Sequence, residues 1–133
     1  METFLQVPAR IRDVSRWEEH CRKIHPRALD LIAGKLTLMQ AAEAIHKLAQ
    51  WTLATDDPDL AVFGKMLCDS VGLPIGTERQ YWSEAALERE APRIQSWEER
   101  WRPSALAAAH RLVEKYRWAL AAKQRRRATG HAV

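Results

Sequence analysis

Thr37-Leu-Met-Gln-Ala-Ala-Glu-Ala-Ile-His-Lys-Leu-Ala-Gln-Trp-Thr-Leu-Ala-Thr-Asp-Asp-Pro-Asp-Leu-Ala-Val-Phe-Gly-Lys-Met-Leu-Cys-Asp-Ser-Val-Gly72 contains two amphipathic helices with their punctuation. Thr37 and Gln40 have capping-box spacing, in which each side chain satisfies the other residue's free backbone N–H. Leu38, Ala41, Ile45 and Leu48 then recur at three and four residues, widened by Ala42, Ala49 and Leu53. The first helix of the stretch should end near Thr55. Asp57-Pro58 restarts a helix, because proline suits the first helical position, where an N–H has no partner anyway. Leu60, Phe63, Leu67 and Val71 carry the next stripe, and Gly72 stops it.

The same period runs outward in both directions. Val14, Trp17, Cys21, Ile24, Ala28 and Leu31 recur at three and four residues. That helix starts near Asp13 or Ser15, with Ser15 and Glu18 as a capping box. It keeps phase across Pro26, as a kinked helix or two stacked ones, and ends at Gly34. Downstream, Ala91-Pro92 opens the last long element. Ile94, Trp97, Trp101, Ala105, Ala108 and Leu112 hold helical phase, followed by Tyr116 and Ala119, with a kink or break expected at Pro103. Between them lies Gly72-Leu-Pro-Ile-Gly-Thr-Glu-Arg-Gln-Tyr-Trp-Ser83, where Thr77 with Gln80 is placed to cap a short turn. Ser83 is placed to cap another turn through Leu87. No period-two run rich in Val, Ile or Thr occurs. The expectation is an all-α single domain, a four- or five-helix bundle with Pro-kinked first and last helices. Residues 1–12 form an arm, 13–123 the bundle and 124–133 a basic, frayed tail.

Composition narrows the function classes. The 133 residues are 47% hydrophobic and 29% charged, which suits one folded domain and not a disordered chain. No run approaches the roughly 18 apolar residues of a membrane span, so no membrane association is expected. The first 12 residues carry Arg10 and Arg12 without an apolar core, which argues against a secretory signal and for a cytoplasmic protein. Cys21 and Cys68 fall within helical patterns and read as buried, reduced thiols. The skew to Ala and Arg, with no Asn, fits a GC-rich bacterial genome. The five glycines make no phosphate loop, no Gly-x-Ser-x-Gly occurs, and no cofactor is expected.

Three sets of residues bear on function. The first is the loop. Arg79, Tyr81 and Trp82, with Glu78 and Asp69 nearby, have the composition of a protein-interface anchor, where aromatic and Arg side chains dominate. Arg79 has an alternative role, pairing with Asp69 or the last carbonyls of the preceding helix. The acids Glu88, Glu90, Glu98 and Glu99 alternate with Arg89, Arg93, Arg100 and Arg102, the pattern of a solvated, ion-paired helix face. Trp97 and Trp101, four apart, are read first as a core seam beneath the loop.

The second set is metal-like. His20, His46 and His110 lie on three helices, and Glu43-x-x-His46 puts two ligand types on one face. Di-iron bundles need two such motifs, and this chain has one. A three-His site requires all three at one level of the bundle. The alternative is three histidines at the edges of their stripes. The third set is Arg125-Arg126-Arg127. From Arg111 onward there are seven basic residues and one acid, although the whole chain is only +4. A basic tail on a mildly acidic body reads as a solvated terminus, a contact for an acidic partner, or a weak nucleic-acid contact.

Asp69-x-x-x-Leu73-Pro74-x-Gly76-x-x-Arg79-x-x-Trp82, followed by Ala86-Leu87, resembles a family of small all-helical bacterial proteins that share a Leu-Pro-x-Gly-x-x-Arg-x-x-Trp loop motif. Leu31-x-x-Gly34 and Gln40-Ala41-Ala42 belong to the same resemblance, which spans about Trp17 to Tyr116. Val71 departs from it, standing where an acid is expected. The resemblance implies a helical fold and a bacterial origin, and no activity. Small proteins of this kind include immunity and accessory partners. The leading expectation is therefore a non-enzymatic protein-binding module, with the metal-dependent enzyme and the nucleic-acid tail as alternatives.

Overall fold

The structure, a computed structural model, describes residues 7–120, with backbone alone at 76–78. The basic run Arg125–Arg127 lies outside the described residues, as do residues 1–6 of the arm. Among the described residues four helices follow one another: α1 (Val14–Ile32), α2 (Leu38–Trp51), α3 (Pro58–Asp69) and α4 (Glu84–Lys115), and residues 117–120 are again helical. A 3-10 turn, Gly76–Tyr81, joins α3 to α4. No strand occurs among the described residues. The expected all-α bundle is the observed architecture.

Each helix begins at a residue that satisfies its first free N–H groups. Thr37 and Gln40 form both halves of the capping box. Asp57 accepts from the Asp59 N–H at 2.9 Å, with Pro58 beside it. At α1 the cap is Asp13, whose carboxylate accepts from the Arg16 N–H at 3.0 Å. The expected Ser15–Glu18 box is not used, because Ser15 is already helical and only Asp13 has the extended backbone of a cap.

α1 and α2 end in the same closure, with different residues at its left-handed position. After α1, Gly34 takes φ +77°. Its N–H reaches the Leu31 carbonyl and the Lys35 N–H reaches that of Asp30, a Schellman closure. The same closure ends α2, with the Leu53 N–H on Gln50 and the Ala54 N–H on Ala49. Here the left-handed position is held by Leu53, at φ +55°. The helix thus stops at Trp51, short of the expected Thr55. A leucine in this conformation carries steric strain that glycine lacks, on the order of 1 kcal/mol. Leu53 is 41% exposed, so little burial is lost with its side chain. Leu53→Gly is expected to raise the thermal midpoint by roughly 3–6 °C, read by circular dichroism. Leu53→Ala, which keeps the strain, should give no gain.

All three prolines within helical pattern are carried inside their helices: Pro26 in α1, Pro92 and Pro103 in α4. The first helix is one element and not two. α4 is longer than the sequence suggests. It starts at Glu84, where the Ser83 hydroxyl accepts from the Ala86 N–H at 3.2 Å, and not at Ala91-Pro92. Ser83 thus caps the long helix itself. The short turn has Ile75 as its leading residue, and the Thr77 side chain lies outside the described residues.

Sequence neighbours pack antiparallel around one core, and α4 closes the ring against both α1 and α3. The Trp17 and Trp118 rings lie 5.7 Å apart, joining the start of α1 to the helical residues 117–120 that follow α4. The α1 stripe is buried as read from Trp17 to Leu31. In α3 the buried set is Leu60, Phe63 and Met66. Leu67 is only partly buried and Val71 is 80% exposed. Val71 lies past the helix end, and α3 sits between α2 and α4, so its innermost face turns toward Met66. Ala105, Ala108 and Ala109 on α4 are fully buried, and their small size permits close helix approach.

Candidate functional site

The loop after α3 is held from below by two indoles. Trp97 is 2% exposed and its Nε1–H donates to the Met66 carbonyl at 3.1 Å. Trp101 Nε1–H donates to Asp69 Oδ2 at 2.7 Å, and Arg100 Nη1 donates to the same oxygen at 2.6 Å. The Trp101 hydrogen bond, followed by Arg100, outweighs burial and holds the Asp69 carboxyl below its usual range. Asp69 is therefore a clamp between α3 and α4. The alternative Arg79–Asp69 pair is not formed, since α4 supplies the partners. Trp97 and Trp101 are the expected seam.

Above this clamp the loop divides. Leu73 and Pro74 are buried and pin the chain to the body. Arg79 is exposed, Tyr81 is 82% exposed and Trp82 is 38% exposed. Glu78 shares the turn, and its side chain lies outside the described residues. α4 then runs from Glu84 to Ser96 without a buried residue, Trp97 being the first. Because Asp69 meets Arg100 and Trp101, this part of α4 extends beyond the last turn of α3. Within it Arg93 pairs with Glu90 at 2.6 Å, and past Trp97 Arg102 pairs with Glu98 at 3.1 Å.

The histidines do not form a metal centre. Among the described residues no three His, Cys, Asp or Glu side chains are grouped to hold an ion. His20 stacks on Trp51, ring centroids 4.9 Å apart, and burial with Lys23 and Arg16 nearby lowers its pKa. His46 faces α3 at Gly64. His110 is exposed on α4, and Glu43 is exposed on α2. His20 turns toward Trp51 and His46 toward Gly64, while His110 is exposed to solvent.

Two features were not apparent from the sequence. Asp57 and Asp59 at the start of α3 meet Lys115 and Arg111 at the end of α4. Lys115 Nζ lies 2.9 Å from both Asp57 Oδ1 and Asp59 Oδ2, and Arg111 Nε lies 2.6 Å from Asp59 Oδ1. Burial works against ionised Asp59, but the bonds from Arg111 and Lys115 prevail and hold its pKa down. The second feature is an open groove of about 670 Å³ between α2 and α3, lined mainly by carbon. Cys68 opens onto it and is exposed, contrary to the expectation of two buried thiols. Cys21 is buried as expected, and burial, then Glu18, pushes its thiol up to about 12. Cys68 differs because it lies on the α3 flank facing the groove, not the core.

No family model matches the chain, and no curated protein or solved structure matches it. No helix among the described residues is long and apolar enough to cross a membrane.

Proposed function

We propose that this chain is a non-enzymatic protein-binding module of the adaptor or immunity type, working in the bacterial cytoplasm. The observation that carries the reading is the exposure of Tyr81 and Trp82 on a loop that buried Leu73 and Pro74 hold in place. Aromatic anchors cost little conformational entropy when they dock, and a fixed loop lowers the cost further. The extension of α4 beside them offers Glu88 and Arg89 as a charged rim. The resemblance of the loop motif supports the bacterial setting.

The test is capture of partners from lysate of the source organism by the tagged chain, with and without nuclease, read by mass spectrometry. One stoichiometric protein that survives nuclease is expected. Its recovery should fall at least tenfold for Trp82→Ala and for Arg79→Ala while the thermal melts of both variants stay cooperative. Recovery unchanged in both variants refutes the loop as the site. Recovery that disappears with nuclease transfers the function to nucleic acid and to the basic tail.

A further inference from the structure

Gly64 stands in the middle of α3, where glycine is a poor helix former. Its position has a steric reason. A Cβ at residue 64 would lie 3.0 Å from His46 Nδ1 and 3.1 Å from Cε1, so the imidazole occupies the space that a side chain would take. Ala49, Ala61 and Gly64 are all small, and together with Leu60 and Leu67 they leave the groove of about 670 Å³ open between the two helices. The groove is open to solvent, and its mainly apolar lining with a few polar groups suits the tail of an amphiphile laid along it.

The polar groups at the rim are His46, Thr55, Lys65, Cys68 and Asp69. The Asp69 charge is already met by Arg100 and Trp101. Lys65 is exposed and has no ion-pair partner among the described residues. The rim therefore presents one unmatched positive charge above an apolar hollow, with an imidazole beside it. We infer that the α2–α3 groove binds an amphiphilic carboxylate, its hydrocarbon tail over Ala49, Leu60, Ala61 and Gly64 and its carboxylate at Lys65. This site is separate from the Tyr81–Trp82 loop and does not depend on that reading.

Cys68 supplies a direct readout. It is the exposed thiol of the two, and it lines the same groove. Sodium decanoate, below its micelle concentration, is titrated into the full chain while labelling of Cys68 by a thiol reagent is timed. Backbone amide shifts are followed in parallel. Saturable slowing of labelling is expected, with shifts centred on Ala49, Ala61, Gly64 and Lys65. Decyltrimethylammonium, of equal tail length and opposite charge, should bind at least fivefold more weakly. Lys65→Glu, an exposed substitution that leaves the core intact, should weaken decanoate at least fivefold and reverse that order. Ala61→Leu should abolish protection by filling the hollow; if it unfolds the chain, the Lys65→Glu comparison decides alone. Absence of saturable binding at millimolar decanoate overturns the proposal. So do shifts centred elsewhere, or equal affinity of wild type and Lys65→Glu for both surfactants.

Discussion

Trp97→Ala is expected to destabilise the fold by about 3–5 kcal/mol, the range for removing a large buried aromatic. The indole is 2% exposed and lies on the seam between α3 and α4. Three losses combine: the transfer free energy of the ring, the hole left behind, and the bond to Met66. That bond ties the last turn of α3 to α4, so the loop from Ser70 to Ser83 should loosen as well. Trp97→Phe separates the terms. It keeps most of the ring and removes the donor, and the Met66 carbonyl retains the Ser70 N–H at 3.0 Å. Its cost should be nearer 1 kcal/mol, the usual net value of one hydrogen bond. Urea unfolding of both variants gives the comparison. A Trp97→Ala cost below that of Trp97→Phe would mean that the seam does not bear on the core.

The second large effect is expected at Lys115. Its ammonium neutralises two carboxylates whose side chains are only 14% and 10% exposed. Lys115→Met leaves Asp57 and Asp59 close together with Arg111 alone, at a cost of about 2–3 kcal/mol, below the fully buried range because Lys115 is 28% exposed. The pH dependence has a definite sign. Asp59 titrates below its ordinary 3.8 when folded, so it contributes stability above that value, and the contribution is lost as pH falls through the folded pKa. Lys115 titrates above its ordinary 10.5, against the effect of burial, because Asp57 and Asp59 hold the proton. Its contribution is full below 10.5 and is lost as pH rises through the folded value. Urea midpoints measured from acid to alkaline pH should show both limbs in the wild type. In Lys115→Met the alkaline limb should be absent and the acid limb shallower. Unchanged limbs would remove the charged node from the account of stability.

Much of the candidate loop was legible because its residues declare themselves by type. Tyr81, Trp82 and Arg79 stand beside Leu73 and Pro74, which pin the loop. The role of Asp69 was not legible, since its partners Arg100 and Trp101 lie 31 and 32 residues away. Gly64 and His46 were hidden for a similar reason. A glycine in a helical pattern and a histidine at the edge of a stripe have ordinary local readings, and only the crossing of α2 over α3 makes them neighbours. The three histidines show the converse. Their spacing permitted convergence, but the rotation of each helix about its own axis sends His20 to Trp51, His46 to Gly64 and His110 to solvent.

The helical class, the cap at Thr37, the start at Asp57-Pro58, the stop at Gly34 and most of the core stripes follow from local sequence. These depend on interactions within a few residues, and periodicity records them directly. Tertiary structure alone decided that α4 runs unbroken from Glu84 past Pro92 and Pro103. It decided that α3 buries Met66 and leaves Val71 out, that Lys115 reaches back to Asp57 and Asp59, and that a groove remains above Gly64. Those outcomes depend on which helix lies against which, and at what rotation, and the helical period leaves that free.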